Sequence, residues 1–396
     1  MATIAETADA AVDMSPVFAL RRYEALDSLR GVAACWVFLF HVPSYGRSWP
    51  LPIVQNGFLA VTFFFILSGF VIGASYADRL AQGYPVGKFM FLRWGRIYPL
   101  HAFVLLVMIA YEIIRGVMGI EAFREGTAFT GQTAIPTLIA NIFLLQGLLP
   151  EHSWNKASWS ISVEFWTYLA SAALLYFLRL RRLLPTGIIL MIPGALVAVL
   201  GDRLPFHVPY GLRQLLDGCL GFGIGLCIYD MRQLGFHLPD NPRNRLLGTA
   251  IEAVTIALVL CLSWTFGGRL SLLIYPAFAL MIWVFSSQTG YFSRLLLTPP
   301  MLLLGTLSYS IYMVHHFVQD RILDAIRDQL IPLPLTVLEE GRIVLAGNAL
   351  LCDAVTLAML AMTLLVAYFT YHYVEDPARR WSRRLAKKMG SGIKRA

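Results

Sequence analysis

The sequence predicts an all-α membrane protein, a polytopic helix bundle of about ten transmembrane helices plus one re-entrant or half-length segment. Three observations lead there. The 396 residues are 57% hydrophobic and 14% charged, against roughly 45–50% and about 25% in an ordinary soluble domain. Mean hydropathy is +0.63. The apolar residues fall in runs of about 20, the length that crosses roughly 30 Å of hydrocarbon at 1.5 Å per residue. Charge this scarce cannot cover a soluble body of this size. Disorder is excluded too, because disordered chains are poor in apolar residues.

In chain order the expected spans are 28–47, 56–76, 97–118, 158–178, 184–200, 208–229, 246–266, 269–287, 301–320 and 343–372. The run 134–150 is apolar but short. Counting it as a crossing would invert everything downstream and put Arg179, Arg181 and Arg182 outside, so it reads as re-entrant or half-length. With that topology 22 of the 32 Lys and Arg face one side and 10 the other. This is the positive-inside bias, and it puts both termini in the cytoplasm. Three regions follow: a cytoplasmic tail 1–22, a transmembrane domain 23–378, and a basic cytoplasmic tail 379–396 suited to anionic lipid.

The net charge of +8 does not point to nucleic acid. Basic residues gather between apolar runs, and no soluble face interleaves them with aromatic side chains. Cys35, Cys219, Cys227, Cys261 and Cys352 lie in or beside apolar runs, with no CxxC pair and no Cys/His spacing. They read as small buried apolar residues, and no metal is expected. The first 20 residues carry Glu6, Asp9 and Asp13 and no basic stretch ahead of an apolar run, so they do not read as a cleavable signal peptide.

Ionisable groups inside a bilayer are costly, so each needs a partner or a task. The first span has Arg30 at its inner edge and His41 eleven residues on, roughly 16 Å along a helix and past the bilayer midpoint. Arg93 and Arg96, in FLRWGRIYPLH, are three apart and share a helix face at the inner surface. Such a pair either marks topology or grips a phosphate-bearing ligand through bidentate bonds. The fourth span begins WSISVEFW, with Glu164 near its outer end. Depth places Glu164 and His41 in the same half of the membrane, where they would meet as a carboxylate–imidazole pair. Gly218, Gly221, Gly223 and Gly225 lack the strand and soluble helix of a nucleotide loop, so they read as close helix packing. In the ninth span Ser308, Tyr309, Tyr312 and His315 are candidate oxyanion or acceptor contacts, with a structural tyrosine–histidine hydrogen bond as the other reading. Glu375, in VEDPARR, reads equally as a helix stop or a ligand.

Taken in order, these segments resemble the acyltransferase-3 family of integral membrane acyltransferases. They are YEALDSLRGVAACWVFLFH with ten residues between Arg30 and His41, FFFILSGFVIG from Phe63, FLRWGRIYP from Phe91, WSISVEFWTY from Trp159, SYSIYMVHH from Ser308, and VEDPARR. The resemblance runs from Tyr23 to about Trp381. It implies an O-acyltransferase of the bacterial inner membrane. Such an enzyme moves an acyl group, usually acetyl, from cytoplasmic acyl-CoA to a hydroxyl of an extracytoplasmic glycan. An exopolysaccharide, a lipopolysaccharide or another cell-surface saccharide would serve as acceptor, and acyl-CoA is a co-substrate with no cofactor bound permanently. Membrane lipid and polysaccharide-assembly proteins are the further partners implied.

By the same resemblance His41 is the essential histidine, a general base or a transient acyl carrier, and Arg30, Arg93 and Arg96 lie near the donor. Glu164 matches the acid of the WSxSxE motif, although Phe165 and Trp166 follow where many members have a more polar pair. The chain ends soon after Trp381, so no appended SGNH-type esterase domain is expected. The competing reading is a secondary transporter or flippase of a glycan pathway with buried His and Glu as a proton relay. Against it, the two halves show no internal repeat.

Overall fold

The computed structural model describes residues 23–119, 127–149, 153–178, 183–200, 203–204, 207–238, 244–328, 336–339 and 342–391. The expected tail 1–22 and the arginine loop Arg179, Arg181 and Arg182 lie outside the described residues, as does Arg243. The helices are α1 (Glu24–Phe40), α2 (Pro52–Gln55), α3 (Ala60–Ala81), α4 (Val86–Met118), α5 (Ile135–Ile142), α6 (Trp159–Leu178) and α7 (Leu183–Leu200). They continue with α8 (Tyr210–Gln233), α9 (Arg245–Trp264), α10 (Ile274–Phe285), α11 (Tyr291–Leu296), α12 (Pro299–Arg327), α13 (Ala349–Thr370) and α14 (Asp376–Ser391). Each expected span coincides with one of them. Among the described residues, seven helical segments are long and apolar enough to cross a membrane on their own. α1 has 17 residues and α10 has 12, so both fall short of a full crossing.

α1 stops early for a local reason. Pro43 follows Val42, and the residue before a proline is pushed out of the helical region. His41 is therefore the C-cap of α1, with φ −91° and ψ 0°, rather than a residue within a longer span 28–47. α4 departs in the other direction. It runs 33 residues through Pro99, so Arg93 and Arg96 stand on a continuous membrane helix and not in a connecting segment. The short apolar run behaves as expected: α5 is 8 residues long, and the chain turns at Leu144, which has φ +54°. The carbonyl of Leu144 accepts from Ser162 Oγ at 2.6 Å and Trp166 Nε1 at 2.8 Å, which ties the half-length segment to α6.

α1 and α12 pack closely because small residues face each other. A Cβ on Gly31 would lie 2.6 Å from the Leu304 carbonyl carbon, and one on Gly305 would lie 2.5 Å from the Asp27 carbonyl oxygen. That contact sets Arg30 beside Ser308 and carries His41 to His315 one turn or more further along. The glycines of α8 serve packing as expected. A Cβ on Gly225 would sit 2.0 Å from the Ile66 carbonyl oxygen, and one on Gly223 2.5 Å from that of Gly187.

The expected span 343–372 begins later than its apolar pattern suggests. Thr336–Glu339 (β1) and Arg342–Leu345 (β2) form an antiparallel hairpin, and α13 starts after Asn348, whose side chain accepts from the Leu350 and Leu351 amides. β2 also anchors the loop after α1, since the Leu345 amide donates to the Pro43 carbonyl at 3.0 Å. At the far end a π-helical turn, Tyr371–Glu375, joins α13 to α14. The segment expected as a basic tail from 379 is thus helical as far as Ser391, and it packs on α4 where Gly95 meets Ser382. Residues 392–396 lie outside the described residues.

Candidate functional site

A cavity of about 80 Å³ opens between α1, α3, α4, α6 and α12. Arg30, Arg93, Arg96, Glu164, Ser308, Tyr309 and Tyr312 all line it, and the rest of its wall is largely Phe, Leu, Ile and Val. Arg30 Nε donates to Ser308 Oγ at 2.7 Å, its Nη2 to the Gly305 carbonyl at 3.2 Å, and Asp27 stands 3.5 Å away. Arg93 is buried with its guanidinium 4.9 Å from the Tyr76 ring centre, and it donates to the Tyr76 hydroxyl at 3.3 Å. Its Nε has no partner among the described residues. An unpaired buried donor of a cation is costly, so an anion at this point would relieve it. Arg96 shares the cavity with Glu164 and Tyr168.

Tyr309 reaches across to α4, donating to the Ile97 carbonyl at 2.5 Å, and Tyr312 shares a hydrogen bond of 2.7 Å with Ser160. Glu375, turned inward by the π-helical turn, accepts from Ser310 Oγ at 2.8 Å and pairs with Arg379 at 3.6 Å.

A second constellation lies beyond the cavity wall. His315 Nδ1 is 2.7 Å from the Tyr312 carbonyl, and His41 Nδ1 is 2.9 Å from the Val37 carbonyl. A carbonyl accepts only, so both Nδ1 atoms carry protons in the neutral rings. His315 Nε2 is then an acceptor, 3.3 Å from His41 Nδ1. In that tautomer the lone pair of His41 lies on Nε2. Ring centres are 5.8 Å apart for Tyr312–His315, 5.1 Å for His315–His41 and 4.2 Å for His41–His316. One ring nitrogen from each of the three histidines lies within 4.8 Å of the other two, a grouping that could hold a metal ion.

The structure brings Arg30, Arg93 and Arg96 together, and with them Glu164. It does not form the expected pair of Glu164 with His41. The Glu164 carboxylate instead accepts from Ser68 Oγ at 2.5 Å and from the Tyr168 hydroxyl. The reason is the helix face: Tyr168 is four residues on from Glu164, and both point to the arginine cavity. The four candidates of the ninth span also divide. Ser308, Tyr309 and Tyr312 line the cavity, while His315 belongs to the histidine group. Sequence reasoning missed Ser68, Tyr168 and His316. The i, i+4 spacing from Glu164 was a usable signal for Tyr168. Nothing in the doublet HH marked His316, because which faces of α12 meet His41 depends on where α1 ends.

Chemically, the cavity suits a ligand with a phosphate-bearing head and a slender apolar arm. The histidine group adds imidazoles held in place by the Val37 and Tyr312 carbonyls.

Comparison with known proteins gives the same direction. The chain is 37% identical over 100 residues to "Protein 2 in picA locus" of Rhizobium radiobacter, covering 25% of this chain and 50% of that protein. It is 34% identical over 160 residues to the acyltransferase MdmB of Streptomyces mycarofaciens, covering 37% and 38%. To the O-acetyltransferase OatA of Staphylococcus aureus it is 22% identical over 403 residues, covering 93% of this chain and 59% of that protein. The chain therefore spans half the length, or little more, of these curated relatives at most. No solved structure matches it significantly. The family profile described as an acyltransferase domain matches residues 23–372, and the chain belongs to the acyltransferase-3 family.

Proposed function

We propose that this protein is an O-acyltransferase that moves an acyl group, acetyl by preference, from acyl-CoA to a hydroxyl of a glycan on the opposite side of a bacterial inner membrane. The arginine cavity faces the cytoplasm in this reading, with both termini on that side. Arg30, Arg93 and Arg96 hold the phosphates of the donor, and the slender pantetheine arm follows the apolar wall toward Tyr312. His41 Nε2 takes the proton of the acceptor hydroxyl. The oxygen attacks the thioester carbonyl, the carbon–sulfur bond breaks, and the imidazolium returns the proton to the departing thiolate. His315 holds the tautomer of His41, and the Ser160–Tyr312 pair offers a hydroxyl toward the developing oxyanion. The observation that carries the reading is the unbroken series of ring contacts from Tyr312, in the arginine cavity, to His41.

An acyl-histidine route is the second reading, favoured by the placement of His41 outside the arginine cavity. Exchange of labelled CoA into acetyl-CoA without acceptor separates the two, because only a covalent intermediate supports it. The test of the proposal is acyl transfer by purified protein from labelled acetyl-CoA. His41→Ala should abolish transfer and leave CoA binding intact, whereas Arg93→Ala and Arg96→Ala should weaken CoA binding. Equal transfer by wild type and His41→Ala would overturn the assignment.

A further inference from the structure

A second cavity lies toward the far ends of α4 and α12, thirteen residues beyond Ser308 along α12, about 20 Å at helical rise. It shares no lining residue with the arginine cavity. Tyr111, Trp154, Lys156, His316, Asp320 and Arg321 are among its walls. His316 also lies with its ring centre 4.2 Å from that of His41, so one residue of this cavity's wall is in contact with His41.

Its chemistry differs from that of the first. The Arg321 guanidinium carbon lies over the Tyr111 ring, 3.8 Å from its centre, and its Nη2 pairs with Asp324 at 3.0 Å. Arg321 Nε and Nη1 have no partner among the described residues. Of the lining residues, the cations Lys156 and Arg321 are set against Glu112 and Asp320, so the formal charge of the wall is balanced. That disfavours a polyanion and suits a neutral molecule rich in hydroxyls. The space is about 20 Å³, enough for roughly one water-sized group. It admits the tip of a ligand rather than its whole body.

We infer that this cavity is the acceptor subsite, and that it takes a hydroxyl of a neutral saccharide whose ring rests outside against Lys156 and the Arg321–Tyr111 stack. The inference rests on the transferase reading above. Donor and acceptor then approach His41 from opposite sides, and Lys156 and Arg321 act as specificity-determining residues.

The test uses the full chain purified in detergent, with methyl glucoside as neutral probe and methyl glucuronide as charged comparator. Saccharide binding is read by saturation-transfer NMR, and CoA binding separately by calorimetry. The glucoside should bind in preference to the glucuronide. Lys156→Met should weaken glucoside binding at least about tenfold, as should Arg321→Lys, which keeps the charge but loses the guanidinium over Tyr111. CoA affinity should hold in both. Wild-type protein that binds CoA but not the glucoside, or prefers the glucuronide, would overturn this inference and leave the transferase reading standing. Glucoside binding indifferent to both substitutions would overturn it as well. Wild-type protein that binds no CoA would instead remove the transferase reading on which it rests.

Discussion

Replacing Glu164 by Gln is expected to tighten the binding of CoA, not to weaken it. The carboxylate accepts from Ser68 and Tyr168, and the amide oxygen of glutamine can accept from both. Among the described residues no arginine forms a direct ion pair with Glu164, so the positions of Arg30, Arg93 and Arg96 do not depend on it. The change is then mainly one of charge. Three arginines and one carboxylate line the cavity, a sum of +2 that becomes +3 on substitution. A unit charge acting on a phosphate at about 8 Å, in an effective dielectric of about 20, is worth roughly 2 kcal/mol. That corresponds to CoA binding about 30-fold tighter, measured by calorimetry at low ionic strength, where screening is least. Unchanged or weaker binding by a folded Glu164→Gln protein would refute this reasoning. Unchanged binding together with lost transfer would return Glu164 to the service of His41.

Ser308→Ala removes the acceptor of Arg30 Nε. Hydrogen bonds to charged groups are worth about 1.5–3 kcal/mol, so CoA affinity should fall by up to roughly 100-fold, and Ser308→Thr should restore it. Pro43→Ala lets α1 continue past His41 and carries the imidazole off line. Misplacement by about 1 Å can cost around 100-fold in rate, so transfer should collapse while CoA calorimetry is unaltered. Micromolar zinc should inhibit transfer by bridging His41, His315 and His316 and blocking the His41 lone pair. EDTA should reverse the inhibition and His316→Ala should blunt it. Inactivation by EDTA alone would show a resident metal and dismiss His41 as a free base.

Much of this molecule can be read from its pattern of apolar runs, because in hydrocarbon every backbone group must be satisfied within a helix. The spans followed from that constraint, and the half-length segment followed from charge placement. The grouping of Arg30, Arg93 and Arg96 was legible for the same reason, since each stands near the same end of its helix. Partnership across helices was not. Depth counted from the apolar runs put Glu164 level with His41, yet Glu164 shares a cavity with Arg30, Arg93 and Arg96, because the ends of a run fix neither the axial offset between helices nor the face that a side chain presents. The end of α1 was within reach. Pro43 stands two residues after His41 and predicts a helix stop, yet the apolar stretch through Val42 masked it. The β1–β2 hairpin was hidden in a similar way, inside residues that read as the start of a long span.

The row of imidazoles between the two cavities has a consequence for the cell's energy supply. A membrane that stores a proton gradient cannot tolerate a continuous water path. In the proposed orientation the two cavities would open toward opposite faces, with Tyr312, His315, His41 and His316 in ring contact between them. Under the proposed mechanism the insulation and the reactive group would be the same object, and an acyl group would pass only by exchange of a bond. Widening that partition, as with His316→Gly, should make proteoliposomes leak protons in addition to slowing transfer. Selection on these histidines would then answer to two pressures at once, only one of which concerns catalysis.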